Sequence, residues 1–308
     1  MHGIRPAEVT ERAVQAIERQ QWLAPVEDRL QRAVGAAFRS GGAVGQQVKD
    51  FLHGTWLGHP LHPVLTDVPV GAWTVAAVLD VAEAAGSGRS WTPPARRADQ
   101  AIAVGVLGAV AAAVAGMTDW QHTGGGPRRT GLVHAVLNSV ALGMYAGSLA
   151  LRRRGRRPAG RGLALAGFGV MLASAYLGGR LVYHDRIGVD HAERDTGPEG
   201  FTRALPVGDL AEGRPRRVEV GGVRVVLVRR GARIDALGEV CAHLGGPLAE
   251  GAVQGDALTC PWHGSTFALE DGRVLCGPAT MPQPRFEARV RDGYVEVRRA
   301  PEAAALAA

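Results

Sequence analysis

Four apolar runs in the first 180 residues leave this chain few ways to fold: about Val64–Ala85, Gln100–Thr118, Gly131–Leu151 and Gly162–Gly179. Each is close to the ~20 residues a helix needs to cross the hydrocarbon of a bilayer. Backbone N–H and C=O groups in lipid must be satisfied within the segment, so such runs become helices. The first run is the weakest, because Asp67, Asp80 and Glu83 interrupt it; the other three hold no acidic or basic residue apart from His134. Their many Ala and Gly residues suit close helix–helix approach in lipid. A soluble bundle of buried helices is the alternative, but four such runs in succession, joined by short polar loops, point to a membrane.

The loop charges are lopsided. Arg89, Arg96 and Arg97 lie between runs one and two, and Arg152, Arg153, Arg154, Arg156, Arg157 and Arg161 between runs three and four. The loop on the other face holds Arg128 and Arg129. Arginine-rich loops stay in the cytoplasm, which places both ends of the chain outside. Residues 1–20 lack the apolar core of a cleavable signal,. Export of a folded C-terminal domain would then need an internal route, with Arg156-Arg157 as a twin-arginine signal; otherwise both ends are inside. The net charge of +6 is attributed to these loops. No basic patch studded with aromatic side chains is visible, which argues against a nucleic-acid partner.

The last third carries different chemistry. Cys241–Phe267 reads CAHLGGPLAEGAVQGDALTCPWHGSTF, with Cys241 and His243 on one loop and Cys260 and His263 on another. One tetrahedral zinc would accept two sulfurs and two imidazoles. Zinc fingers, however, usually pair Cys with Cys and His with His. One of each per loop suits a 2Fe–2S centre whose two irons take thiolates and imidazoles separately. Gly245, Gly246 and Gly264 would let backbone N–H groups approach the cluster sulfurs, and Pro247 and Pro261 would stiffen the loops. The third cysteine, Cys276, reads as a small buried apolar residue.

C-A-H-L-G-G-P-L, C-P-W-H-G-S-T-F and Gly277-Pro278-Ala279 closely resemble the Rieske iron–sulfur family, over about residues 201–300. The resemblance implies a 2Fe–2S cluster held by Cys241, His243, Cys260 and His263, and electron transfer through the imidazole edges of His243 and His263. Quinol-oxidising members join their two cluster loops by a disulfide. Gly246 and Trp262 stand at the corresponding positions, so no bridge is expected. Ser265 matches the serine whose hydroxyl bonds a bridging sulfide, and Phe267 replaces the tyrosine that bonds a cysteine sulfur. Fewer hydrogen bonds to sulfur imply a potential in the lower half of the range of about −150 to +300 mV, as in ferredoxins that feed oxygenases. An oxygenase catalytic subunit is not expected, because no histidine follows His263 for a mononuclear iron,. The His-Pro-Leu-His-Pro stretch, the four runs and Tyr183–Asp190 resemble an uncharacterised family of bacterial membrane domains, over about residues 50–190.

The expected plan is multi-domain, an all-α four-helix transmembrane bundle followed by an all-β Rieske domain. Residues 1–57 form a polar segment with helices over Glu8–Leu23 and Val26–Phe38, packed on the bundle, lying at the interface, or transient. Residues 58–184 form the membrane domain, 185–200 a linker, 201–300 the Rieske domain and 301–308 a disordered tail. RVEV, VRVVLVRR and RIDALG read as strands, and RFEARV and YVEVRR as a hairpin about Asp292-Gly293.

Tracing the spans brings His59, His62, His122, His134 and His184 to one membrane face, with Asp67, Asp119 and Asn138. Ionisable groups at membrane depth suggest function: a b-type haem, another metal, or a quinone site at His134, His184, His62, His59 and Asp67. Arg180 and Arg186 are candidate partners for Asp67 or for haem propionates. Structural hydrogen bonding is the alternative for all of them. The functional expectation is a membrane-anchored electron carrier or oxidoreductase subunit, serving a protein redox partner or a quinone. A quinone- or haem-linked membrane oxidoreductase is the second reading and a zinc-stabilised binding module the third.

Overall fold

The computed structural model describes residues 6–85, 94–194 and 197–301. The chain divides into two compact units, Met1–Gln46 with Leu61–Ile187 and Gln47–Pro60 with Gly188–Ala308. The expected tail at 302–308 and Arg89 lie outside the described residues.

Seven helices lie in the described N-terminal part: α1 (Pro6–Glu18), α2 (Ala24–Ser40), α3 (Gly42–His53), α4 (Leu61–Ala84), α5 (Pro94–Trp120), α6 (Gly125–Arg153) and α7 (Arg157–Tyr183). The last four are each long and apolar enough to cross a membrane. They outrun the apolar windows because the helical backbone continues through arginine-rich flanks, whose long side chains can reach outward. Their outer faces leave Val78, Leu107 and Leu172 more than half exposed (Leu107 is 73% exposed). A water-soluble bundle would turn such residues inward; lipid accepts them. Inside, Trp73 stacks on Tyr145 with ring centroids 4.0 Å apart, and Ile102, Ala141, Ala164 and Met171 fill the space around them.

Two of the three carboxylates that interrupt the first span, Asp80 and Glu83, answer arginines at the start and end of the third loop. Arg152 is buried and its Nη1 lies 2.9 Å from Asp80 Oδ1 and 3.0 Å from Asp99 Oδ1. Arg157 Nε reaches Glu83 at 2.9 Å. At the opposite end α1 and α2 bind across the bundle. Arg128 meets Glu27 at 2.9 Å and Asp28 at 2.7 Å, and Arg129 donates to the Glu18 carbonyl at 2.7 Å. Arg180, a candidate partner for Asp67 or for haem propionates, pairs instead with Glu11 at 2.5 Å and Glu18 at 3.7 Å. Asp67 sits exposed on α4, whereas α1 presents two carboxylates to Arg180.

The second unit holds two antiparallel sheets. Six strands, β1 (Thr202–Pro206), β2 (Arg216–Val220), β3 (Val223–Arg230), β4 (Arg233–Gly238), β9 (Arg285–Arg291) and β10 (Tyr294–Arg299), lie in the order β1-β10-β9-β4-β3-β2. Four short ones, β5 (Ala252–Gln254), β6 (Ala257–Thr259), β7 (Thr266–Ala268) and β8 (Val274–Cys276), lie in sequence order. The expected hairpin forms, with Tyr294 opposite Arg291. Strand β3 explains the unbroken apolar reading of VRVVLV, since both its faces are covered. Val225 and Leu227 enter one core with Phe286, Val295 and Val297; Val226 and Val228 enter a second with Cys241, Cys260 and Phe267.

Residues 188–194 and 197–200, expected within a linker, are bound along the β unit. His191 N–H donates to Ala242 O at 2.9 Å, Arg299 N–H to Pro198 O at 2.8 Å, and Arg194 Nη2 to Pro282 O at 2.6 Å. Their polarity is spent on partners in the domain.

Candidate metal centre

Two loops with the same backbone plan bring the four candidate ligands together. In the first, Gly245 N–H returns to Cys241 O at 2.9 Å and Cys241 N–H donates to Gly246 O at 2.9 Å. In the second, Gly264 N–H returns to Cys260 O at 3.2 Å and Cys260 N–H donates to Ser265 O at 2.8 Å. Gly245 and Gly264 occupy matching places with φ of +76° and +81°, a region that costs any residue with a Cβ. Each loop therefore curls over its cysteine and points its histidine out of the same end. The His243 and His263 rings stand 5.0 Å apart at 90°.

Cys241 and Cys260 are both buried, and their thiols share a hydrogen bond. That bond lowers the Cys260 thiol to about 7 and, with burial, pushes Cys241 upward. Burial also holds both imidazoles below their usual range. For His243 the effect is large and is reinforced by His263, His53, His191 and Lys49; for His263 it is reinforced by Lys49. Ser265 is fully buried, hydrogen-bonds the Cys241 sulfur, and accepts Ala279 N–H at 2.9 Å.

The residue that ties the first loop down carries no signal readable from its type or spacing. Gln283 is 2% exposed. Its Nε2 donates to Gly238 O and Val240 O, both at 2.8 Å, while its Oε1 accepts Ala242 N–H at 2.8 Å.

Two family descriptions match the chain. Residues 201–287 match the Rieske [2Fe-2S] domain, and residues 58–191 match the family described as "Predicted membrane protein (DUF2231)". The 3-phenylpropionate/cinnamic acid dioxygenase ferredoxin subunit of Escherichia coli (strain K12) is 34% identical over 93 residues, covering 30% of this chain and 87% of the relative. The chain belongs to the Rieske family. Apoptosis-inducing factor 3 of Mus musculus is 33% identical over 100 residues, 32% of this chain; the match spans 16% of that longer protein. Among solved structures, a "Complex of reduced oxygenase and oxidized ferredoxin in carbazole 1,9a-dioxygenase" aligns at 31% identity and TM-score 0.32, covering 34% of this chain and 99% of the other.

The Rieske domain carries a 2Fe–2S cluster, and the residues present fit it. Two hydrogen-bonded thiols and two imidazoles at one end are the required donor set. At Gly246 a Cβ would stand 2.8 Å from Cys260 Sγ, so only glycine leaves room beside that sulfur. The same point lies 3.1 Å from the Trp262 ring, so positions 246 and 262 face each other across the two loops. Phe267 is fully buried in the core that holds both cysteines.

Of the membrane-domain candidates, His62 and His134 are brought together, with ring centroids 6.4 Å apart. His62 Nδ1 lies 2.8 Å from Ala112 O, and His134 Nδ1 lies 2.8 Å from Ser174 O. The carbonyl fixes the proton on His134 Nδ1, so Nε2 accepts from Asn138 Nδ2 at 3.1 Å. His184 is exposed and pairs with Asp185, Asp67 is exposed on α4, and His59 belongs to the other unit.

Proposed function

We propose that this protein is a membrane-anchored Rieske electron carrier, with Cys241 and Cys260 ligating one iron of the cluster and His243 and His263 the other. The pair of matching loops that converge two thiols and two imidazoles supports this most directly. When bound, the cluster accepts and returns a single electron. The chain's own work is to keep the donors ready: burial holds both imidazoles neutral, the ligating form, and Ser265 and Gln283 fix the loops that present the sulfurs. With Phe267 in the core no hydroxyl from that position reaches a cysteine sulfur, so we assign a potential in the lower half of the range of about −150 to +300 mV.

The electron partner we favour is a protein redox component, since a relative that the chain largely covers is named as a dioxygenase ferredoxin subunit. The four spans anchor the carrier in the bilayer. We assign His62 and His134 to tying α4 to α5 and α6 to α7, because both ring nitrogens of His134 are already engaged by protein groups. The nine-to-two arginine bias supports a Rieske domain on the outer face,. Arg157 of the twin-arginine pair is bound by Glu83 and Asp99 in the folded bundle.

Electron paramagnetic resonance of the dithionite-reduced, detergent-purified protein tests the assignment. A Rieske-type signal with average g below the free-electron value is expected, and Cys260→Ala and His263→Ala should each abolish it. A protein purified with zinc and no such signal refutes the reading.

A further inference from the structure

Lys49–Thr55, contributed from ahead of the membrane helices, lies in the same compact unit as the cluster loops. Asp50 Oδ1 accepts Gly277 N–H at 2.9 Å and sits 3.8 Å from Cys276 Sγ. A Cβ built on Gly277 would meet Thr55 Cγ2 at 3.0 Å, Asp50 Oδ1 at 3.1 Å and His53 Cδ2 at 3.5 Å. His53 is 1% exposed. Gly277-Pro278-Ala279 is the loop whose last residue binds Ser265, and Ser265 in turn bonds Cys241. Lys49 and His53 also act electrostatically on the imidazole pair, Lys49 on both rings and His53 on His243. Lys49–Thr55 lies outside the span matched by the Rieske domain, 201–287.

We propose that Lys49–Thr55 is a built-in cap of the cluster end, in which Asp50 is a positioning residue for the Gly277–Ala279 loop and the buried His53 packs beside Gly277. Trp262 is left 56% exposed and its ring stands 6.2 Å from His263. The cap thus directs the electron partner to His263 and Trp262. This rests on the proposed cluster assignment, but the contact itself does not.

The test uses the full-length protein in detergent, comparing the parent with Asp50→Ala and Asp50→Asn by amide hydrogen exchange and by the reduced-state resonance spectrum. A hydrogen bond to a charged acceptor protects its amide by roughly ten- to a hundredfold, so Asp50→Ala should speed exchange of Gly277 by that factor. Exchange across 49–55 should rise with it, while the far hairpin of β9 and β10 stays as in the parent. Asp50→Asn keeps an acceptor oxygen and should recover part of the protection. The signal should persist in both variants with shifted g values, because a loop against Ser265 has moved. Unchanged exchange at Gly277 in Asp50→Ala overturns the cap, even with the cluster intact. A parent without the Rieske signal refutes the cluster assignment instead, and the exchange result then still decides whether the segment is bound.

Discussion

Replacing Gln283 by Met, which keeps length and apolar bulk, removes three hydrogen bonds and leaves Gly238 O, Val240 O and Ala242 N–H without their partner. Each orphaned buried group costs ~1–3 kcal/mol. The three belong to one network and do not add fully, so ~4 kcal/mol is expected. For a domain of ~100 residues, 1 kcal/mol moves the melting temperature by ~4–8 °C. Gln283→Met should therefore release its cluster ~15–30 °C below the parent. The assay is the loss of visible cluster absorbance on heating the detergent-purified protein. Below that transition the reduction potential should stay near the parent's, because no group that touches a sulfur has been removed. A shift under ~4 °C would show that the loop holds itself without Gln283 and would refute the reasoning.

In the membrane domain, Asp80→Ala leaves Arg152 buried without its main partner and should destabilise the bundle by ~3–5 kcal/mol; pairing it with Arg152→Met should restore much of the loss in detergent melts. Phe267→Tyr adds a buried hydroxyl beside the cysteines; a net hydrogen bond of ~1 kcal/mol to the reduced state corresponds to a rise of ~40 mV for one electron, read by redox titration. In the cluster-free protein both ligand imidazoles titrate below 6.5 when folded. The unfolded chain then binds more protons below that pH, so stability should fall as pH drops from about 6.5 towards the folded values, and be flat above about 7.5; denaturant midpoints across this range check the sign. A single cysteine at position 301, in a background lacking Cys276, should react with an impermeant thiol reagent in intact cells if the Rieske domain is outside.

The four candidate ligands and the four apolar helices were legible because each signal is local. A cysteine and its histidine lie two or three residues apart, and a span is one continuous run. The supporting contacts were not. Gln283 acts on residues 41 to 45 positions away and Asp50 on one 227 positions away, and neither residue type is unusual where it stands. Strands β5 to β8 have three residues each, too few for alternation to register. Asp80 and Glu83 were read as flaws in a span because their arginines lie more than 70 residues later. Residues 188–194 and 197–200 were read within a linker since polarity alone does not distinguish solvated groups from bonded ones.

The Asp80–Arg152 pair also has a consequence in time. The two residues are 72 positions apart, and at ~5–20 residues per second the carboxylate is made roughly 4–14 s before its guanidinium. During that interval the first span, which carries Asp67, Asp80 and Glu83, holds Asp80 before its buried partner exists. Its place in the bilayer stays provisional until the third span delivers Arg152. Membrane insertion of this protein is then completed from the middle of the chain backwards, and a ribosome stalled before residue 152 would leave α4 the first helix for quality control to find.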